Sequence, residues 1–222
     1  MTKPIFTPFS SIPFEAIIFD LGGVVINIDY NATIDAFKSL GIQNFEGLYS
    51  QAQQLNLFDA FEVGQTSASE FRDGIRALTG MALTDHQIDT AWHAMLLDFP
   101  PERASLLRAV RQNYSTYLLS NTNEIHFKAY LKGSKQGLGP EVRAELFDGE
   151  YYSHLIGKRK PNPDVFQHVL IQNNLNPNET LFIDDSLQHI EGARSVGIHA
   201  YHLDAANGET IESLFSRTDR RA

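Results

Sequence analysis

Four polar clusters bring together residue types that could do chemistry on a charged group. Asp20 follows the apolar run Ala16-Ile17-Ile18-Phe19 and precedes Leu21-Gly22-Gly23. A carboxylate at that position faces whatever binds at the end of the strand, and two glycines allow a sharp turn with close approach of a ligand to the backbone. A turn aspartate bonding its own backbone is an equal reading of Asp20 taken alone. Ser120-Asn121-Thr122-Asn123 follows Tyr117-Leu118-Leu119 and by itself reads as a helix cap. Gly157-Lys158-Arg159-Lys160-Pro161 is the most basic stretch of the chain. A lysine before a proline at a helix entrance suits an anion, with a solvated basic loop as the plainer alternative. Phe182-Ile183-Asp184-Asp185-Ser186 ends an apolar run in two adjacent acids. Such neighbours raise each other's pKa unless a cation neutralises them, and hard divalent ions such as magnesium take carboxylate oxygens of this kind.

The elements that must position these clusters follow from hydrophobic patterning. Short continuous apolar runs at Ala16–Phe19, Thr116–Leu119, Leu181–Ile183 and His199–Leu203 suit strands buried on both faces of a parallel sheet. Helical patterns at Pro101–Asn113, Pro163–Asn173 and Leu187–Val196 alternate with them. Alternation of this kind predicts an α/β fold with a mainly parallel sheet, whose ligands gather at the carboxyl ends of the strands. The acids and hydroxyls sit at those ends. Residues 31–99 differ, reading as successive amphipathic helices over 32–40, 48–61, 68–78 and 85–97, with Thr84 and Gln87 forming a capping box. The expected organisation is a three-layer Rossmann-like core from 1–30 and 100–222, with 31–99 inserted as an α-helical cap. Phe58, Phe61, Phe71 and Trp92, at helical spacing, read as the cap's own core, and the tail 216–222 as frayed.

Composition bounds the function. The chain has 222 residues, 42% hydrophobic and 20% charged, enough for one or two compact units with a real core. A formal net charge of −9 argues against a general nucleic-acid or membrane-surface binder. The absence of cysteine excludes disulfides, thiolate metal sites and cysteine nucleophiles. The longest apolar stretch, 16–28, is interrupted by Asp20, two glycines and Asn27, and the opening residues do not read as a signal peptide. A cytoplasmic protein is the expectation; the sequence sets no oligomeric state.

Order and placement of the four clusters together identify a family. FDLGGVV at 19–25, LLSNTN at 118–123, KRKPNPDVF at 158–166 and FIDDSLQHIEGA at 182–193 resemble the haloacid dehalogenase superfamily, mostly magnesium-dependent phosphatases. The pattern looks most like the sugar-phosphatase branch that includes bacterial α-D-glucose-1-phosphate phosphatase. The resemblance implies that Asp20 is the nucleophile and becomes a phosphoaspartate. It implies that Ser120, Asn121 and Lys160 hold the phosphate, with Lys160 also neutralising the nucleophile. Magnesium would be bound by Asp20, Asp184, Asp185 and the main-chain carbonyl of Gly22, and the substrate would be a small phosphorylated metabolite, a sugar phosphate. The physics agrees, since a phosphate dianion repels a carboxylate nucleophile unless cations lower that barrier.

One departure matters. Most phosphatases of this superfamily carry a second aspartate two residues after the nucleophile, where this chain has Gly22. General acid–base catalysis is worth roughly 10²–10⁴-fold, so its loss is tolerable only with a good leaving group or a substitute donor. Asp29 is the nearest acid, with a capping role as its plainer reading, and His189 reads as a residue behind the acid pair. A mutase is disfavoured without that acid, and a dehalogenase by the Asp184–Asp185 pair. A catalytically impaired protein that binds a phosphorylated ligand or a partner is the alternative from another class.

Overall fold

The computed structural model describes residues 5–6, 13–44, 56–132 and 138–216. The strands are β1 (Ile5–Phe6), β2 (Ala16–Phe19), β3 (Ser115–Ser120), β4 (Gly149–Tyr152), β5 (Thr180–Asp184), β6 (His199–His202) and β7 (Phe215–Ser216). The helices are α1 (Tyr30–Ser39), α2 (Leu57–Glu62), α3 (Ala68–Thr79), α4 (Asp85–His93), α5 (Pro101–Arg111), α6 (Glu124–Lys132), α7 (Pro140–Leu146), α8 (Ser153–Ile156), α9 (Pro163–Gln172), α10 (Leu187–Arg194) and α11 (Ile211–Leu214). Five strands form one sheet in the order β4-β3-β2-β5-β6, every pair parallel. β1 and β7 form a separate antiparallel pair.

Side chains alternate across the sheet, and the alternation explains the continuous apolar runs. Ile17 and Phe19 of β2 join Leu118, Leu181 and Ile183 in a core on one face, closed by Ala104, Leu107 and Val110 of α5. Ala16 and Ile18 turn the other way, towards Tyr117, Leu119 and Phe182, under Val165, Phe166 and Val169 of α9 and Ile190 and Ala193 of α10. The central strands β2, β3 and β5 are thus buried on both faces, and helix, sheet and helix make three layers. The main-chain ladder then delivers the residues at the strand ends, Asp20, Ser120 and Asp184, to one edge.

A third core belongs to the helices after β2. Phe37, Phe58, Phe61, Phe71, Ile75 and Ile88 pack together with Ile125 of α6, and Phe61 stacks on Phe71 with ring centroids 4.3 Å apart. The expected aromatic core is present. Thr84 and Gln87 form the expected capping box, and Ser67 with Glu70 forms another at α3. Entry to and exit from this helical segment run side by side: Asp29 N donates to Met95 O at 2.9 Å and Leu97 N to Asn27 O at 3.0 Å. That antiparallel bridge, Ile28 to Leu96, is why the helix expected over 85–97 stops at His93. Of the helix expected over 48–61, residues 48–55 lie outside the described part and Leu57–Glu62 is helical.

Two expectations need correction. β4 was not expected, because its sequence Gly-Glu-Tyr-Tyr is a sheet edge with only Tyr152 fully buried, so no apolar run marks it. Ser216, read as part of a frayed tail, pairs with Ile5, while 217–222 lie outside the described residues. Among the described residues no helix is long and apolar enough to cross a membrane.

Candidate active site

Asp20 is the first residue past β2, and its N–H donates to Ile183 O of the neighbouring strand at 2.9 Å. The turn beyond it is closed by Ile26 N to Leu21 O at 2.8 Å and Gly23 N to Ile26 O at 2.9 Å. Gly23 has φ +76°, and a Cβ placed on it would lie 2.3 Å from Asp185 Oδ2. Glycine is required there twice over, for the left-handed backbone and for the carboxylate that occupies the space. Gly22 carries no such constraint, since a Cβ there would meet only the Ile28 methyl groups at 3.4 Å.

Lys160 joins the strands. It is fully buried, and its Nζ donates to Asp20 Oδ1 at 2.6 Å and to Asp184 Oδ2 at 2.7 Å. Asn121 fixes it from behind. The amide Nδ2 of Asn121 donates to Lys160 O, and Lys160 N donates to Asn121 Oδ1, both at 2.9 Å. Both ends of the Asn121 side-chain amide are thus bonded to the lysine's backbone. Lys160 is followed by a cis peptide bond to Pro161. Ser120 is buried beside them and lines the cavity, with its Oγ only 3.5 Å from Asn121 O as partner.

Asp184 ends β5. Ser186 N donates to its Oδ1 at 2.8 Å, and His189 Nδ1 lies 2.9 Å from the same oxygen. His189 therefore sits directly against the acid pair. Asp20, Asp184 and Asp185 each offer a carboxylate oxygen, all within 4.8 Å of one another. Burial pushes the Asp20 carboxyl up to about 7 against the pull of Lys160, with Asp184 adding to the rise. At Asp184 burial works the same way, but Lys160 and His189 outweigh it and hold the carboxyl down at about 2. Burial disfavours the ammonium of Lys160, yet Asp184 and Asp20 more than compensate and raise its pKa. Burial and Asp184 raise Asp185 as well. One lysine cannot neutralise three crowded carboxylates, and an all-oxygen donor set fits a hard divalent cation.

Asp20, Ser120, Lys160, Asp185 and His189 form the floor of a cavity of about 630 Å³, roofed by Tyr30, Ile34, Phe58, Glu62, Trp92 and Met95 from α1, α2, α4 and the exit segment. Arg159, the residue before Lys160, bonds upward instead, to Asp59 and, at 3.0 Å, to Glu62 Oε2. Sequence reading gave Arg159 only as part of a basic loop and gave Tyr30, Glu62 and His126 no role. Their partners lie roughly 30 to 100 positions away in the chain, so no local pattern marks them. Asp29 caps α1 by accepting from Asn31 N at 2.9 Å, which is its plainer reading. His93 lies 3.0 Å from Ile125 O, and Asp98 accepts from Asn27 Nδ2 at 2.9 Å, so each serves the joint between helices and sheet.

A parallel sheet that presents a carboxylate cluster and a buried lysine at its strand ends fits an α/β enzyme that works on an anionic group. The chain belongs to the haloacid dehalogenase-like hydrolase family, whose model matches residues 14–197. It is 29% identical to D-ribitol-5-phosphate phosphatase of Bacteroides thetaiotaomicron over 83% of this chain and 89% of that one. It is 28% identical to a sesquiterpene phosphatase of Aspergillus oryzae over 86% and 90%. A crystal structure of a haloacid dehalogenase family enzyme from Bacteroides thetaiotaomicron, in complex with magnesium and inorganic phosphate, superposes with a TM-score of 0.81. It has 38% sequence identity and covers 91% of this chain and all of that one.

Proposed function

We propose that this protein is a magnesium-dependent phosphatase that hydrolyses a small phosphate monoester, a sugar phosphate, through a phosphoaspartate on Asp20. The observation that carries the reading is the triad of carboxylates at one strand edge with Lys160 bonded between two of them. Related proteins that act on phosphate esters, and a neighbour that holds magnesium and phosphate, support it. Asp20, Asp184, Asp185 and the Gly22 carbonyl would hold the metal, which when bound supplies positive charge against the phosphate. Asp20 attacks phosphorus through a carboxylate oxygen, the bond from phosphorus to the ester oxygen breaks, and water then hydrolyses the acyl phosphate. Lys160 holds the nucleophile's other oxygen and offsets charge at the buried floor. Asn121 positions Lys160, and the Ser120 hydroxyl faces the phosphate. Residues 31–99 act as a cap that excludes water over a core made by 1–30 and 100–222.

Asp29, the acid nearest in sequence, is spent on its cap and does not stand in for the missing acid. Charge on the leaving oxygen is therefore left to its own basicity, and turnover depends steeply on the leaving group, as an anomeric oxygen would favour. A screen of phosphate esters with and without magnesium tests the activity. In single-turnover assays Asp20→Asn is expected to release no phosphate while melting like the parent, because an amide cannot form the acyl phosphate. Unchanged release by that variant removes the covalent route.

A further inference from the structure

Above the polar floor, most of the open cavity wall is apolar. Ile28 and Leu96 pack on the sheet core, and Ile34 and Trp92 on the helical core. All four are only partly buried, and they line the cavity together with half-buried Met95 and with Tyr30, which is 63% exposed. Apart from the Tyr30 hydroxyl, the side-chain surface these six residues can offer is hydrocarbon, thioether and aromatic ring, because Trp92 Nε1 is buried. Other polar groups around this wall are used or out of reach. Glu62 Oε2 pairs with Arg159 at 3.0 Å, Thr33 Oγ1 donates to Trp92 O at 3.2 Å, and Thr122 Oγ1 is buried. Contiguous apolar surface left open beside a reactive site is a place where a ligand gains by displacing water.

We propose a further activity for this cavity, the hydrolysis of phosphate monoesters of apolar alcohols, in addition to the sugar phosphate. The activity rests on the phosphatase reading and gives it a second substrate class. A sugar meets the apolar wall only with its C–H faces and must find partners for its hydroxyls elsewhere. An alkyl chain matches the wall along its whole length and brings no polar group that burial would strand. The cavity, at about 630 Å³, has the size of a site for a whole small molecule and not for phosphate alone. The chemistry is that of the floor. Asp20 bonds to phosphorus as the bond to the ester oxygen breaks, and the electron pair leaves with that oxygen, which takes a proton from water. Water then cleaves the acyl phosphate, giving inorganic phosphate and restoring Asp20. Burial of the chain stabilises bound substrate and transition state alike, so it raises kcat/KM through KM.

The test measures phosphate release by the full chain with magnesium from ethyl, butyl and hexyl phosphate, with p-nitrophenyl phosphate alongside. The three alkyl esters share one leaving-group basicity, so their comparison isolates burial of the chain. The expected kcat/KM rises about threefold per methylene, roughly 80-fold from ethyl to hexyl. Calorimetry with the corresponding alkyl phosphonates, which cannot be hydrolysed, is expected to show affinity climbing with the same slope. Ile34→Thr and Met95→Gln are each expected to cut the hexyl-to-ethyl ratio about fivefold, because each sets a polar group against the chain. Thermal melts check that both variants fold, and the parent's own series decides if they do not. A flat or falling series, with p-nitrophenyl phosphate still hydrolysed, overturns the apolar class and leaves the phosphatase reading standing. An unchanged hexyl-to-ethyl ratio in both folded variants also overturns it, because the wall then does not touch the chain. No magnesium-dependent release from any ester overturns the phosphatase reading, and this activity with it.

Discussion

At the floor of the cavity Lys160 bridges Asp20 and Asp184, while His189 and Ser186 fasten the second acid. In the roof Phe58 and Trp92 stack in an apolar layer, and the indole N–H of Trp92 bonds to nothing. The floor is a charge network in which Lys160 ties the end of β2 to the end of β5. The roof is held by apolar and aromatic packing instead. A site that performs one reaction on one group needs the first arrangement, and a site that reads variable leaving groups needs the second. The boundary between the two runs between Arg159 and Lys160.

Breaking the floor is expected to have the largest effect. Lys160→Met leaves Asp20 and Asp184 buried without their shared cation, and removing one partner of a buried pair typically costs about 3–5 kcal/mol. Urea unfolding without metal checks this; a loss under about 1 kcal/mol would show that the floor is not the tightly coupled unit described. Activity of the variant is expected to fall with it.

The joint between roof and floor offers a pH handle. His126 is buried with Nε2 2.9 Å from Trp92 O, and burial holds its imidazole down at about 3. The unfolded chain takes up a proton near pH 6.5 that the folded chain refuses, so this contribution is full above that pH and drains away as the pH falls towards 3. By pH 4 the loss is on the order of 3 kcal/mol. His126→Gln, with its stability compared at pH 7 and pH 4, is expected to flatten that part of the dependence. An unchanged slope would place the acid sensitivity elsewhere.

The smallest effects come from two adjacent glycines and sharpen the comparison. Gly23→Ala puts a Cβ 2.3 Å from the Asp185 carboxylate at a positive φ, and a cost of about 2 kcal/mol with weakened magnesium binding is expected. Gly22→Ala meets only Ile28 at 3.4 Å and is expected to be nearly neutral in melts. Equal destabilisation of the two would mean that the turn tolerates no side chain anywhere, and that the crowding at Asp185 is not what singles out Gly23.

The sequence by itself determined the sheet and the floor. Strands buried on both faces must be continuously apolar, so β2, β3 and β5 announce themselves, and the chemistry follows each strand directly because the sheet edge is where backbone direction delivers it. Asp20, Ser120, Lys160 and Asp184 were legible for that reason, as was Asp29 as a cap, since a cap is a local bond. The edge strand β4 was not, because a half-exposed pairing leaves no apolar run. Only the tertiary structure decided that the Asn121 amide serves Lys160 across 39 positions, that Arg159 turns to Glu62, and that Trp92 and His126 meet. Those contacts join segments far apart in the chain, and their polar residues look like ordinary surface until folding buries them. Periodicity records which face of an element is apolar; which polar groups from other elements converge there depends on packing, which no local pattern encodes.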